Sequence, residues 1–325
     1  MQIERPKIQL YKVRSFGDKF SDTFDFLKEN SKLWLKGCLY LLLPLSLLQA
    51  FSLNYLTSAF SDMAVNEAVN IGDSLVVKLI ISYVSYFIFI LIGSILLAAF
   101  TYAMMRHYHE NDERLRGVTL KDLKPKIIKA AKRSLIMGLT LGTIVLLLYA
   151  VFGLIVYLTE WWGILLLLVL LVVVAIVPLS LAYPIYIFED NQTVFNSLRQ
   201  SIRLTAHHFW AILGFLLVLN ILANVIQGCF MLPWYIMFLV KALFVVSDNE
   251  NPIVNSSFFS FALYLFAVIQ TFGMYLSMSL NTIGLGYQYG SLAEEMDDVS
   301  VDEDIQRFEE MSAKSKEIDN FEDLV

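Results

Sequence analysis

The chain has 325 residues, 57% of them hydrophobic and 17% charged, whereas the apolar share of ordinary soluble domains, glycine included, is about 45–50%. Such a composition excludes disordered and collagen-like chains, and two cysteines exclude a disulfide scaffold; the class left is an all-α integral membrane protein. The net charge of −6 is unevenly spread: residues 294–325 carry 13 acidic and 3 basic side chains, so the body before them, with 17 acidic and 21 basic, is mildly basic.

Residues 1–34 read as a cytoplasmic amphipathic segment and 35–290 as a membrane domain. A helix needs about 20 apolar residues to cross a hydrocarbon core ~30 Å thick. Six runs reach that length: 35–60, 79–105, 135–158, 163–188, 210–230 and 258–284. The first begins too far into the chain and runs too long for a cleavable signal, so it is expected to remain as a span. The region 210–246 is too long for one crossing, since as a helix it would rise about 55 Å. Pro233 is the expected break, after which Trp234, Tyr235 and Lys241 suit a short stretch lying at the outer interface. The tail, 291–325, is dominated by carboxylates that repel one another, and is expected to be solvated.

Lysine and arginine set the orientation. Eight lie in residues 1–36, nine in 106–133 and two in 189–209, all on one side of a six-span arrangement, whereas the opposite loops hold Lys78 alone, or two with Lys241. Both termini are therefore expected to be cytoplasmic. Each odd-numbered span also follows an amphipathic cytoplasmic segment, at 16–33, 120–133 and 194–209. Aligning Trp34 with Trp210 sets Leu33 over Phe209 and Phe26 over Ile202, which points to three repeated units of interfacial helix plus two spans.

The most informative text runs from Tyr183 to Trp210. Pro184, Glu189 and Asp190 close the fourth span, and in the helix that follows Leu198, Ile202 and Phe209 share an apolar side while Arg199 and Arg203 share another. That pattern describes an interfacial helix with an anion-facing edge. Arg199 and Arg203, with Glu189 nearby, are candidates for a lipid-headgroup or regulatory site, since paired guanidiniums suit phosphate; plain positive-inside anchoring is the alternative.

This passage resembles the membrane domain associated with bacterial glycerophosphoryl diester phosphodiesterases and related stand-alone membrane families of largely unknown function. In those families a proline and an acidic turn end one span, and an Ala/Ser-Leu-Arg-x-Ser-x-Arg-Leu helix followed by Phe-Trp starts the next. Pro184, Glu189, the run from Ser197 to Leu204, Phe209 and Trp210 stand in those places. The opening Phe16-Gly17-Asp18-Lys19-Phe20 and the acidic tail after Tyr287-Gln288-Tyr289 look like the Bacteroidetes-type members. The resemblance implies a bacterial inner-membrane protein but not catalysis, which in that family belongs to a separate soluble barrel with a His-Arg pair, and this chain has no His-Arg dipeptide.

No catalytic residue, cofactor site or nucleic-acid module is legible. Relatives of this kind are sometimes labelled carotenoid oxygenases, iron enzymes with four histidine ligands, and the chain has four histidines: His107, His109, His207 and His208. Spacings of two and one on a helix diverge by about 200° and 100°, unlike the i, i+4 pair that chelates one metal, so no metal site is expected. Within the spans Asn220, Asn224 and Gln227 form a polar stripe at i, i+4 and i+7, suited to lining a cavity or to bonding between packed helices. Gly138 and Gly142 make a small-residue packing pair, and Cys38 and Cys229 lie toward opposite ends of their spans. The function expected is that of a non-enzymatic membrane protein touching the anionic inner leaflet or a membrane partner through its cytoplasmic helices. A carrier for a lipid or amphipathic solute stands as the alternative, and a membrane oxygenase as a distant third.

Overall fold

The computed structural model describes residues 6–65, 73–161, 163–246, 252, 254, 256–301 and 305. Seven helices follow one another: α1 Phe16–Glu29, α2 Ser31–Val65, α3 Asp73–Glu110, α4 Leu120–Thr159, α5 Gly163–Phe188, α6 Val194–Val246 and α7 Ser257–Asp297. Among the described residues there is no strand. Six of the helices, α2 to α7, are long and apolar enough to cross a membrane, so the chain is an all-α, multi-pass membrane protein. In hydrocarbon a backbone must satisfy its own polar groups, and helices do so within one segment.

The helix ends are written in the local sequence. Ser15 and Asp18 cap α1 reciprocally: the Asp18 amide donates to Ser15 Oγ at 3.2 Å and the Ser15 amide to Asp18 Oδ2 at 3.3 Å. Thr119 and Asp122 repeat the device at the start of α4. Glu160 and Asp298, both left-handed, close α4 and α7.

The bundle is organised around α7, which packs on α6, α2, α3, α1 and α5. By contrast α4 touches mainly α3 and α5, with Leu123, Ala130, Ser134 and Met137 buried near its start and none of its most apolar stretch buried. Close approach requires glycine at particular crossings. A Cβ on Gly93 of α3 would overlap the ring and hydroxyl of Tyr275, the side chain that joins α7 to α2 by donating to Gln49 Oε1 at 2.8 Å.

Two sequence expectations change. The long sixth helix does not break at Pro233: its one non-helical residue is His208, with φ −125° and ψ 20°, and the backbone stays helical from there to Val246. Packing holds the turn after the proline, because Trp234 is buried with Ala50 of α2 and with Leu263 and Ala267 of α7. Trp234 therefore belongs to the core of the bundle's far end and does not lie flat at an interface. The stretch 291–297, read from sequence as tail, forms the last turns of α7, with Ser291, Leu292 and Ala293 buried. Residues 306–325 of that tail, and 247–251 beyond α6, lie outside the described residues.

The amphipathic segments do not simply lie on a surface either. Phe26 of α1 is buried against the rings of Tyr108 and Tyr287, at 5.3 and 6.1 Å between centroids. The chain before α1 is an extended strap along the end of α7, with Leu10, Tyr11 and Arg14 buried. Of the three units read as repeats, the first breaks at Asn30 and the third at His208, four and two residues before the aligned tryptophans, whereas α4 runs unbroken from Leu120.

Candidate functional site at the basic end of the bundle

At one end of the bundle the helices overshoot their apolar spans with charged turns. There α3 continues to Glu110, α4 starts at Leu120 and α7 continues to Asp297, and these extensions carry the charged residues that the spans exclude. Rising about 1.5 Å per residue, the last thirteen residues of α7 lift a polar layer about 20 Å deep.

The centre of this layer is the end of α5. A helix C-terminus leaves carbonyls without intrahelical partners and a partial negative charge. Arg133 of α4 supplies what is missing: its guanidinium donates to the carbonyls of Tyr186 at 2.6 Å, Asp190 at 2.8 Å, Glu189 at 2.8 Å and Gln192 at 3.2 Å, and lies 4.1 Å from the centre of the Tyr186 ring. One planar fork thus fixes the whole α5–α6 turn, a role a lysine point charge does not fill.

Beside it, Arg106 of α3 forms a two-pronged pair with Asp190, both bonds at 2.7 Å, and a further bond with Glu110 at 2.7 Å. Lys129 reaches Asp190 at 2.8 Å, and Lys126 reaches Glu110 at 2.5 Å. Under this cation-rich arrangement the Asp190 carboxyl is held well below the ordinary carboxylate range, first by its bonds to Arg106 and then by Lys129. A cavity of about 220 Å³ lies between Arg106, Lys126, Lys129, Arg133 and the Tyr102 and Ile187 side chains.

Glu189, the acidic candidate, has no cation on its carboxylate. It accepts from Tyr289 of α7 at 2.6 Å and from Gln200 and Gln192 at 2.9 Å each, so it ties three helices with neutral donors. Arg199 and Arg203 do share a side of α6, but their situations differ. Arg203 pairs with both carboxylate oxygens of Asp297, at 2.8 and 2.5 Å, while Arg199 is exposed. The most buried side of this helix carries Ser197, Ser201, Leu204 and Thr205, Ser201 donating to the Pro178 carbonyl; of the apolar side read from sequence, Ile202 is exposed while Leu198 and Phe209 are partly buried against neighbouring apolar clusters. Small hydroxyl residues let α6 approach α5 closely.

The histidines separate. His107 stands 3.2 Å from the Lys126 amine, the His109 ring packs edge-on against Tyr11, and His208 faces Glu295 at 3.4 Å. Among the described residues no group of three His, Cys, Asp or Glu side chains is placed to hold a metal. Of the amide stripe, Asn220 and Asn224 are exposed on α6, each donating to its own helix, and Asn220 Oδ1 accepts from Asn281 of α7 at 3.3 Å; Gln227 is half-buried. The stripe thus makes one bond between packed helices. Cys38 is buried, Cys229 exposed, and both are free thiols.

Sequence reasoning did not single out Arg106 or Arg133 among the nine cations of 106–133, and took Asp190 only as part of the acidic turn that closes the fourth span. One signal was available. Lys126, Lys129 and Arg133 recur at i, i+3 and i+7, which puts three cations on one helix side. Comparison with family models, with curated proteins and with solved structures finds no match for the chain.

Proposed function

We propose that this multi-pass membrane protein is a non-enzymatic component of a bacterial inner membrane, with both termini cytoplasmic, and that its basic end contacts anionic lipid of the inner leaflet. The observation that carries the reading is a division of labour among the cations of that end. Arg14, Arg106 and Arg133 are spent on internal partners, and Arg203, though exposed, pairs with Asp297; Lys28, Lys32, Lys36, Lys121, Lys124, Lys132 and Arg199 are exposed. Exposed cations beside apolar spans meet the headgroup layer first, and each near an anionic surface contributes about 1 kcal/mol. The likeness of the Ser197 to Leu204 helix to phosphodiesterase-associated membrane domains agrees with a membrane role and adds no substrate.

The test uses Trp210, which is 80% exposed beside Arg199 and Arg203. In a variant keeping Trp210 as the only tryptophan, reconstituted in mixed bilayers, brominated phosphatidylglycerol should quench its fluorescence more than brominated phosphatidylcholine at equal mole fraction. The difference should shrink as salt screens the attraction. Equal quenching by both lipids at low salt overturns the proposal.

A further inference from the structure

We infer that the cleft between the N-terminal strap, α1, the start of α2 and the α3–α4 loop is a site for the phosphate headgroup of an anionic phospholipid. This deepens the reading of the basic end as a lipid contact and rests on it. The cleft has a volume of about 1450 Å³, against about 220 Å³ for the cavity beside Arg106. Of the three carboxylates that line it, two are engaged by named partners inside the protein: Asp22 accepts from Arg14 at 2.6 Å, and Glu29 accepts from Arg114 at 2.8 Å and from the Tyr108 hydroxyl at 3.0 Å; the third, Asp25, is half-buried.

The cleft also presents a row of exposed ammonium groups. Lys28, Lys32 and Lys36 recur every four residues from the end of α1 into α2, all exposed and all lining the cleft, with Lys12 facing them from the strap. The first turn of α2 opens into the same space, at Ser31, Lys32 and Leu33, and it holds no acidic residue. A helix N-terminus of that kind favours an anion through its unpaired amides and its dipole, and here it acts together with three lysines.

The geometry favours a lipid over a free phosphate because the row leads into the bilayer. Lys36 lies inside the first turns of the first span, next to Leu35, 43% exposed, and above Leu39 and Tyr40, 42% and 68% exposed. A headgroup held by Lys28, Lys32 and Lys36 has its acyl chains beside an apolar wall that faces outward. A soluble phosphate leaves that wall unused. Compact ammonium groups on flexible stems bind phosphate as point charges, so the site reads headgroup charge and not a planar shape.

The experiment compares the full chain with the Lys28→Gln/Lys32→Gln/Lys36→Gln variant in neutral detergent, titrated with dioctanoyl phosphatidate and followed as mass adducts on the intact protein. Wild type should bind one copy preferentially, and the variant should lose about a hundredfold in affinity at low salt. Removal of two charges by Lys78→Gln/Lys241→Gln, at the other end of the bundle, should lose none. The triple arginine variant should bind as wild type, which separates loss of charge from damage to the fold. If the triple Gln variant binds phosphatidate like wild type while Trp210 is still quenched preferentially by anionic lipid, the cleft assignment is wrong and the broader lipid contact survives. If glycerol phosphate without chains binds as tightly as the lipid, the assignment of a membrane lipid is overturned in favour of a soluble phosphate.

Discussion

The Leu10 carbonyl lies so close to Gly290 that a Cβ on residue 290 would overlap its oxygen, and this contact seats the N-terminal strap across α7. At the next residue of α7, the Arg14 amide donates to Ser291 Oγ at 3.0 Å while the Arg14 guanidinium, buried 4.8 Å from the centre of the Tyr287 ring, bonds to Asp22 of α1. Strap, α1 and α7 therefore form one unit, and glycine at 290 is its tightest point.

Gly290→Ala should unseat the strap without affecting the spans. Overpacking a close contact costs about 1–3 kcal/mol, here set against a strap that can detach alone. Amide exchange in residues 8–14 should rise well above that of residues 275–285, which lie in the same helix as the substitution. Unchanged exchange in the strap would show that it accommodates the methyl group by shifting.

The Tyr275 crossing inside the membrane gives a second steric prediction. Gly93→Ala places a methyl group on the Tyr275 ring, and the ring cannot move aside without giving up its hydroxyl bonds to Gln49 Oε1 at 2.8 Å and to the Phe89 carbonyl at 3.0 Å. A loss of about 2 kcal/mol in stability in detergent is expected, from strain plus a buried polar group left unpaired. Tyr275→Phe on the same background should recover part of it, since it removes the polar demand. No recovery would place the whole cost in the steric clash.

The class, the helix count and the charge asymmetry were legible because they follow from single-segment properties: apolar run length and the placement of lysine and arginine. What stayed hidden depends on pairs far apart in sequence. Arg106 and Asp190 are 84 residues apart, and Tyr289 and Glu189 are 100 apart, so no local pattern marks either pair. The path of α6 through Pro233 was misread for a related reason. A proline signals a break in isolation, but the packing of Trp234 between α2 and α7 overrides it. In the 194–208 helix the residues read as one apolar side divide, Ile202 being exposed and Leu198 and Phe209 partly buried, because Ser197 and Ser201 take the innermost positions.

Asp190 gives the basic end an acid limit. Its folded carboxyl titrates below the ordinary value near ~3.9, so the stabilisation it brings is present above that value and is lost as pH falls through the lower, folded one. Between pH 5 and 8 the junction of α3, α4 and the α5–α6 turn should not respond to pH through this group. Below about pH 4 it should loosen, which amide exchange or proteolysis at residues 189–193 can follow. Asp190→Asn should lower stability at neutral pH and flatten the acid limb. A variant with an unaltered acid limb would assign that limb to other carboxylates.

Arg133 separates charge from shape at the same junction. It serves four carbonyls of one turn, so Arg133→Met removes both the cation at the α5 terminus and every bond, leaving half-buried acceptors unpaired. Hydrogen bonds from charged donors are worth about 1.5–3 kcal/mol each, though a set held by one side chain is not additive. A loss of roughly 3 kcal/mol is expected for Met. Arg133→Lys keeps the charge opposite the helix terminus, a contribution of about 0.3–1 kcal/mol, and one or two of the bonds. It should therefore sit nearer to Met than to wild type in thermal stability. A lysine variant as stable as wild type would mean that the terminus needs only a cation and that the fork geometry contributes nothing.

The helical path of α6 through Pro233 to Val246 bears on parity, because a helix that crosses once keeps the number of crossings even and both ends of the chain on one side. In a background with Cys38 and Cys229 replaced, Trp161→Cys and Pro252→Cys should react with an impermeant thiol reagent in intact cells. Lys121→Cys and Asp298→Cys should react only after the membrane is opened. The first pair follows α4 and α6 at the end poor in cations, and the second pair sits at the end where nineteen lysines and arginines gather. Inversion of all four results would reverse the orientation and move the basic end outside. Labelling of Asp298→Cys together with Trp161→Cys, but not of Lys121→Cys, would require a further crossing between α6 and α7 and would contradict the single passage of α6.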